Sequence, residues 1–302
     1  MGVEASVRTR EGYLPLYEVA LVAAGIAFLY YPLVGYLVEK WENQPEFSHG
    51  YLIPVISVYL AWRRRDEIAR AALRPATLGV WIAAASLALL LVANLGAVKT
   101  VACYSLITLL IGVVLAIWGG GVLRLVLFPI VFLVFAIPVF TFVMTPVTFA
   151  MKLVAAKLSV AAVAAVGVPV YRDGAILFLP NGALEVADAC SGIRSLFALL
   201  ALGAVYATLF HGKAWERVTL FLAGIPIAML ANFARVTLLT LVAYAFGIDA
   251  STPGKSLFVD GKPHWGTVIH EASGFAVFIV AFLLLLSIGR FLQWLKRERT
   301  PG

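Results

Sequence analysis

VTLFLAGIPIAMLANFARVTLLTLVAYAF, residues 218–246, decides the fold. A helix that crosses a bilayer needs about 20 largely apolar residues. This run is longer and carries a single charge, Arg235. Comparable stretches lie near 15–38, 76–95, 101–118, 124–142, 193–210 and 267–289. A shorter one at 50–62 reaches spanning length only by borrowing residues from the loop before it. Over 302 residues the chain is 62% hydrophobic and 13% charged, with a mean hydropathy of +0.97. Soluble domains are about half apolar and a quarter charged. The sequence therefore predicts an all-α polytopic membrane protein, one domain over residues 1–302, with little mass outside the bilayer.

Charge placement supplies the topology. The net charge of +7 is no nucleic-acid signal, because the basic residues fall in short runs between apolar segments, as loop-charge bias in membrane proteins requires. Arg63-Arg64-Arg65 with Arg70 and Arg74, then Lys213 and Arg217, then Arg290, Lys296, Arg297 and Arg299 are expected on the cytoplasmic side. Loops 39–49, 96–100, 171–188 and 247–266 then face outward. Segment 145–168, with Lys152 and Lys157, cannot span without breaking that parity and reads as an outer-surface or re-entrant helix. About eight transmembrane helices plus one interfacial helix result. The first segment follows Arg8 and Arg10 as a signal peptide would, but has no small-residue cleavage site and is expected to be retained.

The texture changes between 171 and 189. Arg172-Asp173-Gly174 reads as a turn, 175–179 as a strand, and Pro180-Asn181-Gly182 as a second turn before 183–189. Asn-Gly between apolar runs is a strong hairpin signal, so a small outer-face β-hairpin is predicted. It either caps the bundle or offers an edge to an extended peptide.

Three short polar clusters interrupt the apolar pattern: Ala189-Cys190-Ser191-Gly192-Ile193-Arg194, Asn232-Phe233-Ala234-Arg235 and His270-Glu271-Ala272-Ser273-Gly274. Ionisable groups within spans are costly and point to function. The predicted topology sets Cys190 at the outer boundary, Arg194 one turn further on the same face, Arg235 in the outer half of its span and His270 one turn into the last. A thiol beside cations and an imidazole is the usual recipe for a sulfur nucleophile. A helix N-terminus and guanidinium groups favour the thiolate, while apolar surroundings oppose it. An imidazole transfers protons near neutral pH, and Arg235 can donate to an oxyanion or carboxylate. Asn232, a turn away, adds a donor or orients Arg235. His49, in Phe47-Ser48-His49-Gly50, contacts substrate or caps its loop. The competing readings are inert packing for Cys190, an interfacial residue for His270, and an ion pair with Asp188 or Glu185 for Arg194. Cys103 reads as packing. Two cysteines make neither a disulfide framework nor a zinc site, so no metal and no cofactor are expected.

Together these stretches resemble the exosortase/archaeosortase family of multispanning membrane transpeptidases. The likeness rests on Phe47-Ser48-His49-Gly50-Tyr51-Leu52-Ile53-Pro54 with its Arg cluster, Asn181-Gly182…Val186…Ala189-Cys190-Ser191-Gly192, Asn232-x-x-Arg235-Val236 and His270-x-x-x-Gly274, in family order. The Cys-Arg-His set is similar to the bacterial branch, since archaeal relatives usually carry Arg where His270 stands. The resemblance implies a Cys190 nucleophile with Arg235 and His270 as partners, acting at the outer face of the inner membrane. It implies as partners exported proteins whose C-terminus holds a short motif such as Pro-Glu-Pro, a transmembrane helix and an Arg cluster. It also allows a separate partner from an exopolysaccharide system, besides membrane lipid. Two rivals remain: a non-enzymatic factor for exopolysaccharide or lipid-linked glycan export, with Arg194 and Arg235 holding phosphate, and a transporter, which would call for a repeat that the halves do not show.

Overall fold

The computed structural model describes residues 16–186, 192–210, 212–252, 258–259, 262–263 and 265–299. They fall into two compact units, Met1–Val139 and Phe140–Gly302. The boundary lies in the non-helical stretch 137–140, inside what the sequence presents as one apolar run, 124–142. Pro138 explains the break: a residue before proline is pushed out of the helical region, and Ile137 is extended at φ −91° and ψ 128°.

In the first unit, α1 (Leu16–Asn43) leads through a 3₁₀ turn (Pro45–Tyr51) into α2 (Leu52–Arg63). The backbone stays helical through the junction, with Tyr51 and Leu52 both right-handed. Seven residues at about 2 Å plus twelve at about 1.5 Å give a path of about 32 Å. Among the described residues this segment is not one of the helices that have the length and composition of a span. After α3 (Arg65–Arg70), helices α4 (Thr77–Leu95) and α5 (Lys99–Ile117) form a tight hairpin. A Cβ on Gly112 would lie 2.6 Å from the Ala83 nitrogen, and one on Gly79 would strike the Ala116 main chain. Small residues four apart on both helices let the backbones touch, the usual device where lipid gives no hydrophobic drive for association. Hydroxyls add cross-helix ties: Tyr30 to Ser105 at 2.8 Å, Ser86 to Thr108 at 2.8 Å, and Ser57 to the Pro129 carbonyl of α6 (Gly120–Phe132) at 2.6 Å.

The second unit is organised around α9 (Ala214–Phe246), against which α7 (Thr141–Ala165), α8 (Ile193–Leu209) and α10 (Trp265–Arg299) pack. Leu199, Ile227, Ala228, Ala281 and Leu285 form the α8–α9–α10 core. A three-stranded antiparallel sheet, β1 (Tyr171–Asp173), β2 (Ile176–Leu179) and β3 (Gly182–Glu185), packs Leu177, Leu179 and Leu184 onto α7 and α9. Two further short strands, β4 (Phe258–Val259) and β5 (Lys262–Pro263), pair with each other.

This sheet has one strand more than the expected hairpin. Asp173 pairs with Ile176, so the first turn is Gly174-Ala175, with Gly174 left-handed at φ +57°. Leu179 pairs with Gly182, so the second loop is Pro180-Asn181, and Gly182 opens β3 instead of closing the turn. Asn181 also ties the sheet to α9, since its side-chain nitrogen donates to the carbonyls of Ala243 at 2.7 Å and Tyr244 at 3.3 Å. Those carbonyls belong to the last turn of α9, where the Ala243 carbonyl also accepts the Gly247 N–H at 3.0 Å.

Among the described residues, six helices are long and apolar enough to cross a bilayer, by length and composition. Two shorter apolar helices are Gly120–Ala136 and Ile193–Leu209. Large apolar side chains such as Phe28, Trp81, Phe142 and Phe275 stand exposed, as lipid contact requires. The chain is an all-α polytopic membrane protein. Phe142–Ala165 is one of the six, so the segment expected on the surface has the length and composition of a span; that expectation came from loop-charge parity and from Lys152 and Lys157. Replacing Gly112 with Val should destabilise the α4–α5 hairpin by about 1–3 kcal/mol, the usual cost of overpacking, read as a lower melting midpoint in detergent.

Candidate active site

Helix α9 carries Asn232 and Arg235 three residues apart, hence on neighbouring positions of one face. Asn232 is buried and meets the start of α8. There Gly192 adopts φ +76°, and a Cβ on it would lie 2.7 Å from the Asn232 side-chain carbon Cγ. Glycine is required twice at that point, for the left-handed backbone and for the approach. The Asn232 amide nitrogen is buried without an acceptor among the described residues.

Arg235 reaches the opposite neighbour, α10. Its Nη2 donates to the main-chain carbonyl of His270 at 2.9 Å. The guanidinium crosses Gly274, where a Cβ would sit 2.9 Å from Cζ. Ser273 Oγ donates to the same His270 carbonyl at 2.8 Å. The arginine therefore grips the first turns of α10 through a charge-assisted hydrogen bond. His270 itself is 1% exposed. The Ser251 carbonyl serves as an acceptor for its ring, while Arg235, Glu271 and Arg194 act on it electrostatically. Arg194, one residue into α8, is exposed.

A cavity of about 440 Å³ opens beside His270. Its walls are Ala183 to Val186 of the sheet, Val236 and Leu239 of α9, and the 3₁₀ turn Ile248–Ala250 with Ser251 and Thr252. The volume is within the range of ligand sites, and the lining joins apolar residues to Glu185, Asp249, Ser251, Thr252 and His270.

The structure thus brings Arg235, His270, Asn232 and the start of α8 with Arg194 into one region of the second unit. Cys190 lies outside the described residues. His49 belongs to the first unit, in the 3₁₀ turn whose Gly50 fits against the Trp41 ring, and its ring lies against the main chain of Glu46 and Phe135. Among the described residues no cluster of three or more His, Cys, Asp or Glu is arranged to hold a metal. Sequence reading missed the Ser251 carbonyl and the Asn181 amide. A main-chain acceptor leaves no mark in residue type, and Asn181 looked like ordinary turn chemistry.

Fold and site together define a multi-pass membrane protein whose intramembrane arginine and histidine meet beside a ligand-sized cavity. The chain belongs to the transmembrane exosortase family, whose pattern matches residues 41–287. No curated protein and no solved structure matches it.

The Gly274 contact makes a test of the arginine's placement. Gly274→Ala should push the guanidinium from the His270 carbonyl and cut activity about tenfold, the loss of one charge-assisted hydrogen bond. Gly274→Leu should abolish activity, with both variants still extracted from membranes as folded protein.

Proposed function

We propose that this exosortase is a cysteine transpeptidase that processes C-terminal sorting signals of exported proteins at the outer face of the inner membrane. The observation that carries this reading is the meeting of Arg235 with His270 beside the N-terminus of α8. Cys190 precedes Gly192 by two residues, and two residues of chain span at most about 7 Å. On this reading the thiolate is favoured by the guanidinium groups of this region, as cations lower a thiol's pKa.

The steps follow from those groups. The Cys190 thiolate attacks the scissile carbonyl, forming a C–S bond and a tetrahedral oxyanion. Arg235, already held against the main chain of α10, faces that negative charge. His270, having taken the Cys190 thiol proton to give that thiolate, delivers it to the leaving amine as the C–N bond breaks. The thioester then passes its acyl group to an acceptor nucleophile, whose proton returns through the imidazole. Asn232 and Arg194 line the approach as a supporting amide and a second cation. The substrate is an exported protein whose C-terminal helix docks in the membrane, with its motif entering the cavity. His49 remains a candidate substrate contact.

Cys190→Ala and Cys190→Ser should leave a folded membrane protein that accumulates uncut substrate, read by the mass of an exported reporter ending in a Pro-Glu-Pro motif, an apolar helix and a basic tail. Processing at the parental rate by either variant would remove the nucleophile and leave the non-enzymatic reading, in which the thiol is dispensable.

A further inference from the structure

The sheet has an edge that its own fold leaves open. The Val186 N–H donates to the Ala175 carbonyl at 3.0 Å. Antiparallel ladders alternate bonded and non-bonded pairs, and the register pairs Leu184 with Leu177 and Gly182 with Leu179. The main-chain groups of Val186, Leu184 and Gly182 therefore turn toward β2. Those of Ala183 and Glu185 turn the other way. Among the described residues nothing takes them, and both residues line the cavity that ends at His270. Two N–H and two C=O groups, spaced by the strand period, thus lie on the side of β3 away from β2, on residues that line a cavity shared with Val236 and Leu239 of α9 and with Ile248, Asp249, Ser251 and Thr252.

We propose that this edge binds the substrate: an extended polypeptide segment adds to β3 as a fourth strand, hydrogen-bonded to Ala183 and Glu185, and its register sets which carbonyl reaches Arg235 and His270. The inference rests on the transpeptidase reading for the identity of the peptide. It rests on the strand register for the mode of binding. Unpaired main-chain donors and acceptors are satisfied best by another main chain, and side-chain sequence then matters only at alternate residues. The Asn181 contacts with Ala243 and Tyr244 fix the sheet to the end of α9, so the edge and Arg235 ride on one helix. That link makes a strand-register rule for the scissile bond mechanically sound.

Proline tests the edge because it deletes an N–H while being tolerated where that N–H faces away from the sheet. Ala183→Pro and Glu185→Pro each remove one outward donor. Arg172→Pro is the control: Arg172 pairs with Leu177, whose main chain serves β3, so the Arg172 N–H lies on the far edge of the same sheet. Two readouts use the exported reporter: processing by the parental enzyme background, and crosslinked capture of uncut reporter by the Cys190→Ala background. Each cavity-edge proline should lower both about fivefold, one main-chain hydrogen bond, while Arg172→Pro stays at the parental level. Parental capture and processing by both edge prolines, or an equal loss from Arg172→Pro, overturns the proposal.

A second measurement works without a sheet variant. A synthetic peptide of the motif and its following apolar segment is prepared with single backbone amides replaced by esters, and its capture by the Cys190→Ala protein is measured. Losses at every other residue support strand addition; uniform losses, or none, overturn it. If Cys190→Ala processes the reporter at the parental rate, the cysteine reading fails, and the ester scan still decides the edge.

Discussion

One hydrogen bond organises the second unit: the Arg235 guanidinium on the His270 carbonyl, at 2.9 Å. A cation among apolar helices has a large desolvation cost unless polar atoms surround it. The carbonyl provides part of that solvation, and it does so on a neighbouring helix. Removing the contact would leave a half-buried charge on α9 and loosen the register of α10. The geometry depends on residue 274 being glycine, because a side chain would occupy the volume of the guanidinium.

The same logic repeats one turn away. Asn232 takes the space over Gly192 that a Cβ would fill, so α8 is set against α9 by a second absent side chain. Helix α9 thereby holds both neighbours through polar residues meeting glycines, while Leu199, Ile227 and Leu285 supply the apolar contact between these points. Apolar packing alone specifies depth and rotation poorly in a membrane, since lipid competes on equal terms. Polar-on-glycine contacts admit a single arrangement.

Much of this was legible in the sequence. Arg235 and His270 announced themselves as ionisable groups in spans, and the runs 76–95, 101–118, 193–210 and 218–246 matched helices within a few residues. The parts that were hidden have physical causes. The run 124–142 hid a break, because its apolar composition drowned the backbone effect of Pro138. Strand β1 was hidden because Asp173-Gly174 spells a turn whichever residue ends the strand. The helix Thr141–Ala165 was assigned to the surface because two lysines and loop parity outweighed its length. Cys190 enters from sequence alone.

Strand β3 has four residues, and the ladder turns only two of them outward. So small a template cannot hold a polypeptide by itself; main-chain bonds of this kind contribute about 1 kcal/mol each. For a peptide added as proposed, such an edge would serve alignment, and retention would come from elsewhere. A protein tethered by a lipid-embedded helix searches in two dimensions, where confinement multiplies the effective concentration without any new contact. Under that proposal, a weak edge would then suffice to align a bond.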